Sequence, residues 1–183
     1  KLINAILRRV AREGTKLLEY QDAERLNTPD WLWNSWITAY GEETTRNIAK
    51  AHLKIPALDL WVKSEPKLWA QKLGGQILPT GGVRLPSATN VAGLDGFKEG
   101  AWWVQDAAAS LPVQLFGDNL KEKRIADICA APGGKTAQLI LAGAEVIAVD
   151  RSEKRLKILT ENLKRLSFSP EIVCEDAIIW QPN

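Results

Sequence analysis

The sequence predicts an α/β fold on a parallel sheet, preceded by a small α+β segment and, before that, a helical one. Three observations carry this. First, Arg124 to Ala130 holds Ile125, Ile128 and Cys129 in a short apolar run of buried-strand length. Second, Pro132-Gly133-Gly134 breaks that run, and Lys135 to Ala142 follows at helical spacing until Gly143 ends it. Third, Ala144 to Val149 is a second apolar run, closed by the carboxylate of Asp150. Two apolar strands joined by a short helix make a βαβ unit, which implies parallel pairing and a right-handed crossover. A ligand then belongs at the carboxyl ends of the strands, where the glycine turn and Asp150 both fall.

Spacing bears on which ligand the turn could take. A dinucleotide site wants G-x-G-x-x-G, and only Gly133 and Gly134 are glycine here. A phosphate loop wants G-x-x-x-x-G-K-[ST]; Gly134-Lys135-Thr136 supplies the tail, but Cys129 stands at the first glycine. Val146 to Asp150 imitates the strand and aspartate that hold magnesium in such enzymes. It arrives in the very next strand, where a nucleoside-binding carboxylate is expected instead. A nucleoside without a pyrophosphate, such as S-adenosylmethionine, needs a tight turn that admits it against the backbone and an acid to accept from both ribose hydroxyls. Asp150 is placed for that role. A nucleotide hydrolase using Lys135 and Thr136 stays open as an alternative.

The run Asp127-Ile128-Cys129-Ala130-Ala131-Pro132-Gly133-Gly134-Lys135-Thr136 resembles the S-adenosylmethionine motif of the Sun (Fmu) family of RNA cytosine-C5 methyltransferases, of the type acting on small-subunit ribosomal RNA. Trp102 to Ser110 (WWVQDAAAS) resembles the segment that leads into that family's fold, and Val149-Asp150-Arg151-Ser152 with Arg155-Leu156 resembles its second motif. The resemblance implies a Rossmann-like S-adenosylmethionine-dependent methyltransferase fold, of which this chain would hold the first half of the sheet. It implies cofactor-binding roles for Cys129, Ala130, Ala131, Pro132, Gly133, Gly134, Lys135, Asp150, Arg155 and Asp176. RNA is the implied partner, with a single-stranded or loop cytosine as target.

In that family a cysteine thiolate adds to carbon 6 of cytosine, so that carbon 5 becomes nucleophilic enough to take a methyl group. The base must be unstacked to be reached, which costs less in single-stranded RNA. The family's two cysteines follow its fourth and fifth strands. Cys129 lies in the cofactor turn and Cys174 within an apolar strand, where cysteines are mostly inert core residues. Neither is assigned as nucleophile, and no catalytic residue is assigned. These residues alone are therefore expected to bind cofactor without turnover. A non-catalytic RNA-binding module is the second alternative.

Composition bounds the rest. A chain of 183 residues, 45% of them apolar, is one large domain or two small ones. A net charge of +2 does not announce a nucleic-acid partner. No apolar run reaches membrane-spanning length, and the start lacks a signal peptide's apolar core. Two cysteines far apart suit a reducing cytoplasm better than a disulfide scaffold, and nothing in the sequence points to a metal site. The sequence contains no methionine, so it is expected to be an internal piece of a longer protein.

Residues 1–26 read as helix, with Leu2, Ile3, Ile6, Leu7 and Val10 as an apolar stripe and Arg8, Arg9 and Arg12 to one side. The resemblance implies that this is a helical remnant of an amino-terminal RNA-binding domain. Residues 27–99 are expected to form the small α+β subdomain, which the resemblance likens to an RNA-recognition fold. Asn27 to Asp30 starts a helix carrying Trp31, Trp33, Trp36, Ile37 and Tyr40, whose helical spacing says core rather than base stacking. Glu42 to His52 is a second helix after Gly41; His52, the single histidine, is expected at a helix end without a partner. Leu58 to Lys63 alternates like a strand, Pro66 to Leu73 like a helix, and Gly75 to Pro79 and Gly82 to Leu85 like short strands. Lys63, Lys67, Lys72 and Arg84 are candidate phosphate contacts. Residues 100–183 are expected to be the amino-terminal half of the methyltransferase domain. Trp102 to Val104 reads as strand, and Gln105 to Leu115 as a helix with Ala107, Ala108, Leu111 and Leu115 inward. Ser152 caps a helix with Leu156, Leu159, Leu163 and Leu166 as its stripe, and Ile172 to Cys174 is a third strand. After it, Asp176 matches the family's adenine-facing acid, with Glu175 as the neighbour.

Overall fold

The computed structural model describes residues 2–86, 90–117 and 119–182. Lys1 and Asn183, at the ends of two expected segments, lie outside the described residues. The chain divides into two compact units, Lys1–Ile55 and Pro56–Asn183. Neither expected internal boundary, at 26/27 or at 99/100, coincides with this division.

The first unit is helical: α1 (Leu2–Leu18), α2 (Ala23–Leu26) and α3 (Asp30–His52). Asp22 caps α2 by accepting from the Arg25 N–H at 3.1 Å. Gly41 interrupts α3 with φ +77 and ψ 172, so the expected break there is real although helix continues on both sides. Contacts between α2 and α3 span the expected boundary at 26/27. The Arg46 guanidinium donates to Asp22 at 3.0 Å, and Arg25 and Arg46 lie over the Trp33 ring at 5.2 and 5.5 Å. Trp33 is buried as expected. Trp31, by contrast, is 72% exposed and Tyr40 is exposed, because the helix presents only one narrow face to its neighbour. His52 has a partner after all: the Trp36 ring meets it edge-on at 5.3 Å. The stripe on α1 lies exposed.

The second unit holds two sheets. The first is antiparallel, in the order β2-β3-β1-β4, from β1 (Leu58–Val62), β2 (Gln76–Ile77), β3 (Val83–Leu85) and β4 (Trp102–Val104). Strand β4 pairs with β1 in the register Trp61↔Trp103, which is why the expected boundary at 99/100 is crossed. Alternation sorts the side chains between two faces. Leu60, Val62, Val83, Leu85 and Trp102 pack on one face with Ala70 of α4 (Pro66–Leu73). The other face carries Asp59, Trp61, Arg84 and Trp103. Arg84 is not a free phosphate contact, since it makes two parallel hydrogen bonds to buried Asp59 at 2.6 and 2.7 Å. Lys63 is likewise committed, donating to the Leu166 carbonyl and lying 4.7 Å from the Phe168 ring centroid. Lys72 lies over the Trp69 ring at 5.0 Å.

Asp59 also accepts from the Ala107 N–H at 3.1 Å, tying the antiparallel sheet to the start of α5 (Ala107–Gln114). The Arg84 hydrogen bonds hold its carboxyl below the ordinary range, with Ala107 helping and burial opposing. A carboxyl depressed in the folded state stabilises fully above its unfolded pKa of about 4, and that stability is lost as pH falls through the folded value. Asp59→Asn is expected to flatten the acid limb of stability, which denaturant melts from neutral pH into that acid range will show.

The second sheet is parallel, β5 (Arg124–Ile128), β6 (Glu145–Val149) and β7 (Glu171–Val173) in that order. Helix α6 (Gly134–Leu141) joins β5 to β6, and α7 (Glu153–Arg165) joins β6 to β7. Leu156, Leu159, Leu163 and Leu166 are buried as the stripe predicts, each contributing about 1.5–3 kcal/mol by leaving water. Three expectations are corrected. Strand β5 is not buried: Ile128 is 51% exposed, because β5 is bonded on one side only among the described residues. Cys129 and Cys174 are exposed rather than core, as each falls just past its strand. Helix α5 is rotated from the expected stripe, burying Ser110 and Val113 while Leu115 is 89% exposed. Its start is fixed by the Asp106 cap, which accepts from the N–H groups of Ala108 and Ala109 at 2.8 and 3.4 Å. No described helix is long and apolar enough to cross a membrane.

Candidate cofactor site

The turn between β5 and α6 is fixed from three sides. Cys129 leaves the strand with φ +63, and the Ala130 N–H donates to the Val149 carbonyl at 3.0 Å, holding the turn against the end of β6. The Ala131–Pro132 peptide is cis. Gly133 has φ +103 at the position before α6, and a Cβ there would lie 3.3 Å from Leu159 Cγ. Glycine is required twice at this point, by the backbone angle and by the approach of α7. Gly134 needs no such freedom. A Cβ on it would meet Gln105 at 3.7 Å, on the cavity side, so its glycine keeps the turn's backbone open.

Asp150 is buried at the tip of β6 and bonded to the turn. Its carboxylate accepts from the Ala131 N–H at 3.2 Å and the Ser152 N–H at 3.0 Å, with the Arg155 guanidinium 3.3 Å away. Arg155 also donates to the Ala131 carbonyl, and Asn162 donates to the Pro132 carbonyl at 3.1 Å. An ionised carboxylate offers about four acceptor sites, so these contacts leave capacity for a ligand hydroxyl.

The turn opens on a cavity of about 330 Å³. Of the ten expected cofactor-binding residues, Cys129, Ala130, Ala131, Pro132, Gly134 and Lys135 line it. Gly133 faces α7 instead, while Asp150 and Arg155 are bonded to the turn without lining the cavity. Asp176 is half-buried and accepts from the Ile178 N–H at 3.0 Å in its own turn; no described hydrogen bond joins it to the others.

The cavity has a second wall of Val104, Gln105, Asp106, Ala109 and Asp127, residues of the two quoted motif segments that are not among the expected cofactor-binding residues. Gln105 anchors it, accepting from the Trp103 indole N–H at 2.7 Å and donating to Gln138 at 2.8 Å, while Gln138 donates to the Ser110 carbonyl at 3.1 Å. A glutamine between apolar runs was the available signal, because a buried amide must find partners. Asp127 accepts from the Thr136 hydroxyl at 2.6 Å. That bond commits Thr136, which is fully buried, and counts against its binding magnesium as in a phosphate loop. The signal for Asp127 was alternation, since two residues along a strand share a face.

Burial pushes the Asp127 carboxyl up, against the pull of Thr136 and Lys135. With the folded value raised, its stability contribution is complete below the unfolded pKa and is lost as pH rises through the folded value. Asp127→Asn is expected to raise the melting temperature at pH 7, with no gain below about pH 4. Calorimetry at the two pH values checks this.

A parallel sheet whose first turn is tied to the acid of the next strand defines a class: the Rossmann-like fold of S-adenosylmethionine-dependent methyltransferases. Solved structures agree. A methyltransferase homologue from Pyrococcus horikoshii superposes with TM-score 0.64 at 24% identity, over 84% of this chain and 55% of its own. NSun6 from Pyrococcus horikoshii, solved with SFG, gives 0.68 at 17% identity, over 81% of this chain and 66% of its own.

Sequence comparison then gives the relatives. Residues 116–181 match the model of 16S rRNA methyltransferase RsmB/F. Ribosomal RNA small subunit methyltransferase B of Vibrio vulnificus is 34% identical over 96% of this chain. Over most of its length the chain resembles the RsmB/F (Sun) methyltransferases, a family whose cofactor is S-adenosyl-L-methionine. It spans 44% of the length of that relative.

Proposed function

We propose that the protein to which these residues belong transfers a methyl group from S-adenosylmethionine to carbon 5 of cytosine in small-subunit ribosomal RNA. The observation that carries the reading is the Cys129–Lys135 turn, opening on a cavity and bonded through Ala131 to Asp150. Bound there, the cofactor would supply an electrophilic methyl group. The turn's backbone would cradle the ligand, Asp150 would accept from ribose hydroxyls, and Arg155 would hold Asp150 and the Ala131 carbonyl in place. Asp176 is proposed to meet the adenine amino group.

Neither cysteine is assigned to attack the base. Cys129 belongs to the cofactor turn, and Cys174 Sγ lies 3.9 Å from the Arg151 carbonyl. These 183 residues are proposed to bind cofactor without turnover. Incubation with methyl-labelled cofactor and small-subunit ribosomal RNA tests this. Saturable cofactor binding without labelled RNA is the expected result. Label at cytosine would overturn the assignment of the cysteines, and preference for a triphosphate over the sulfonium compound would overturn the cofactor reading.

A further inference from the structure

The second face of the antiparallel sheet is almost entirely committed within the unit. Asp59 is held by Arg84 and Ala107, Trp103 by Gln105, and Lys63 by Leu166. Trp61, on the same face, is half-buried and lines a cleft of about 500 Å³. Across it stand the β2–β3 turn, with Thr80 and Gly81, and Gln114 and Leu141 of α5 and α6. Gly81, at φ +88, leaves the indole uncovered; a Cβ there would lie 3.9 Å from Trp61 Cη2. The Thr80 hydroxyl is buried in this wall and has no hydrogen-bond partner among the described residues. Its carbonyl is already taken by the Gln114 amide at 2.6 Å. A buried hydroxyl left unpaired is costly, and rotation of Thr80 about χ1 would turn it toward the cleft that the residue lines, where a ligand's polar edge can pair with it.

We propose that this cleft is a nucleobase pocket for single-stranded RNA, in which a base stacks on Trp61 and bonds through its edge to the Thr80 hydroxyl. The proposal rests on the RNA-substrate reading above. A flat, uncharged group with a polar rim suits an aromatic face, one unpaired hydroxyl and no charged lining residue. A hydroxyl both donates and accepts, so the pocket takes any base, as stacking sites do. Helix α6 begins at the cofactor turn and ends at this cleft, a span of eight residues or about 12 Å. The pocket therefore holds a nucleotide other than the one methylated, and acts by positioning the strand.

Thr80→Val separates this from a structural role. Removing an orphaned hydroxyl should preserve or raise the melting temperature, while affinity for single-stranded ribosomal RNA oligonucleotides falls about three- to tenfold by filter binding. Trp61→Ala should lower it further, and 4-thiouridine crosslinks should map to peptides holding Trp61 or Thr80. Cofactor affinity, titrated in parallel, should be unchanged in Thr80→Val. Unaltered RNA affinity in both variants overturns the pocket and leaves the methyltransferase reading intact. A wild-type chain that binds cofactor but no RNA overturns the pocket and removes the support for an RNA substrate from these residues.

Discussion

Gly133→Val is expected to destabilise the protein by on the order of 3 kcal/mol and to weaken cofactor binding by roughly tenfold or more. Two costs combine. The backbone at φ +103 is one that a β-branched residue scarcely adopts, and the new Cβ would lie 3.3 Å from Leu159 Cγ and 3.6 Å from Leu163 Cγ. The added side chain is directed at α7 and away from the cavity, so binding is lost through displacement of the turn rather than by filling it. Leu159→Ala in the Gly133→Val background should then recover the packing part of the loss and leave the backbone part. Denaturant melts with parallel cofactor titration check both. Full stability with abolished binding would mean that the side chain enters the cavity instead.

Asp150→Ala is expected to cost cofactor binding about 1.5–3 kcal/mol, the worth of hydrogen bonds to a charged acceptor. It also leaves the Ala131 and Ser152 N–H groups without their acceptor and Arg155 without its carboxylate, so stability should fall by about 1–3 kcal/mol. The two effects part in Asp150→Asn, whose oxygen serves one N–H while its amide opposes the other. Stability should then be intermediate. Calorimetric titration with the cofactor provides the readout, and Asp150→Ala binding as tightly as wild type would remove the ribose role.

Most of the parallel sheet was legible, because strand, glycine and helix patterns are short-range. Gly133 and Gly143 occupy the positive-φ positions that a turn and a helix end require, and Ser152 caps α7 as its position suggested. The stripe on α7 was legible since four leucines at helical spacing leave no other face to bury. Misreadings arose where burial depends on a distant segment. The same apolar run that suggested a buried β5 is half open, and Leu115 lies in water although its spacing matched a core face. Arg84 looked like any surface cation until Asp59, 25 residues earlier, proved to lie beside it.

Sequence reading was sufficient for the βαβ unit, its turn from Cys129 to Lys135 and the carboxylate at Asp150, since backbone freedom and periodicity are properties of neighbouring residues. It could not say which polar groups were already satisfied. Folding committed Arg84, Lys63 and Arg155 to partners and built the second cavity wall from Gln105 and Asp127. It also left the Thr80 hydroxyl unpaired. Hydrogen bonding and desolvation depend on what the chain brings opposite a group, and that is decided across the fold rather than along it.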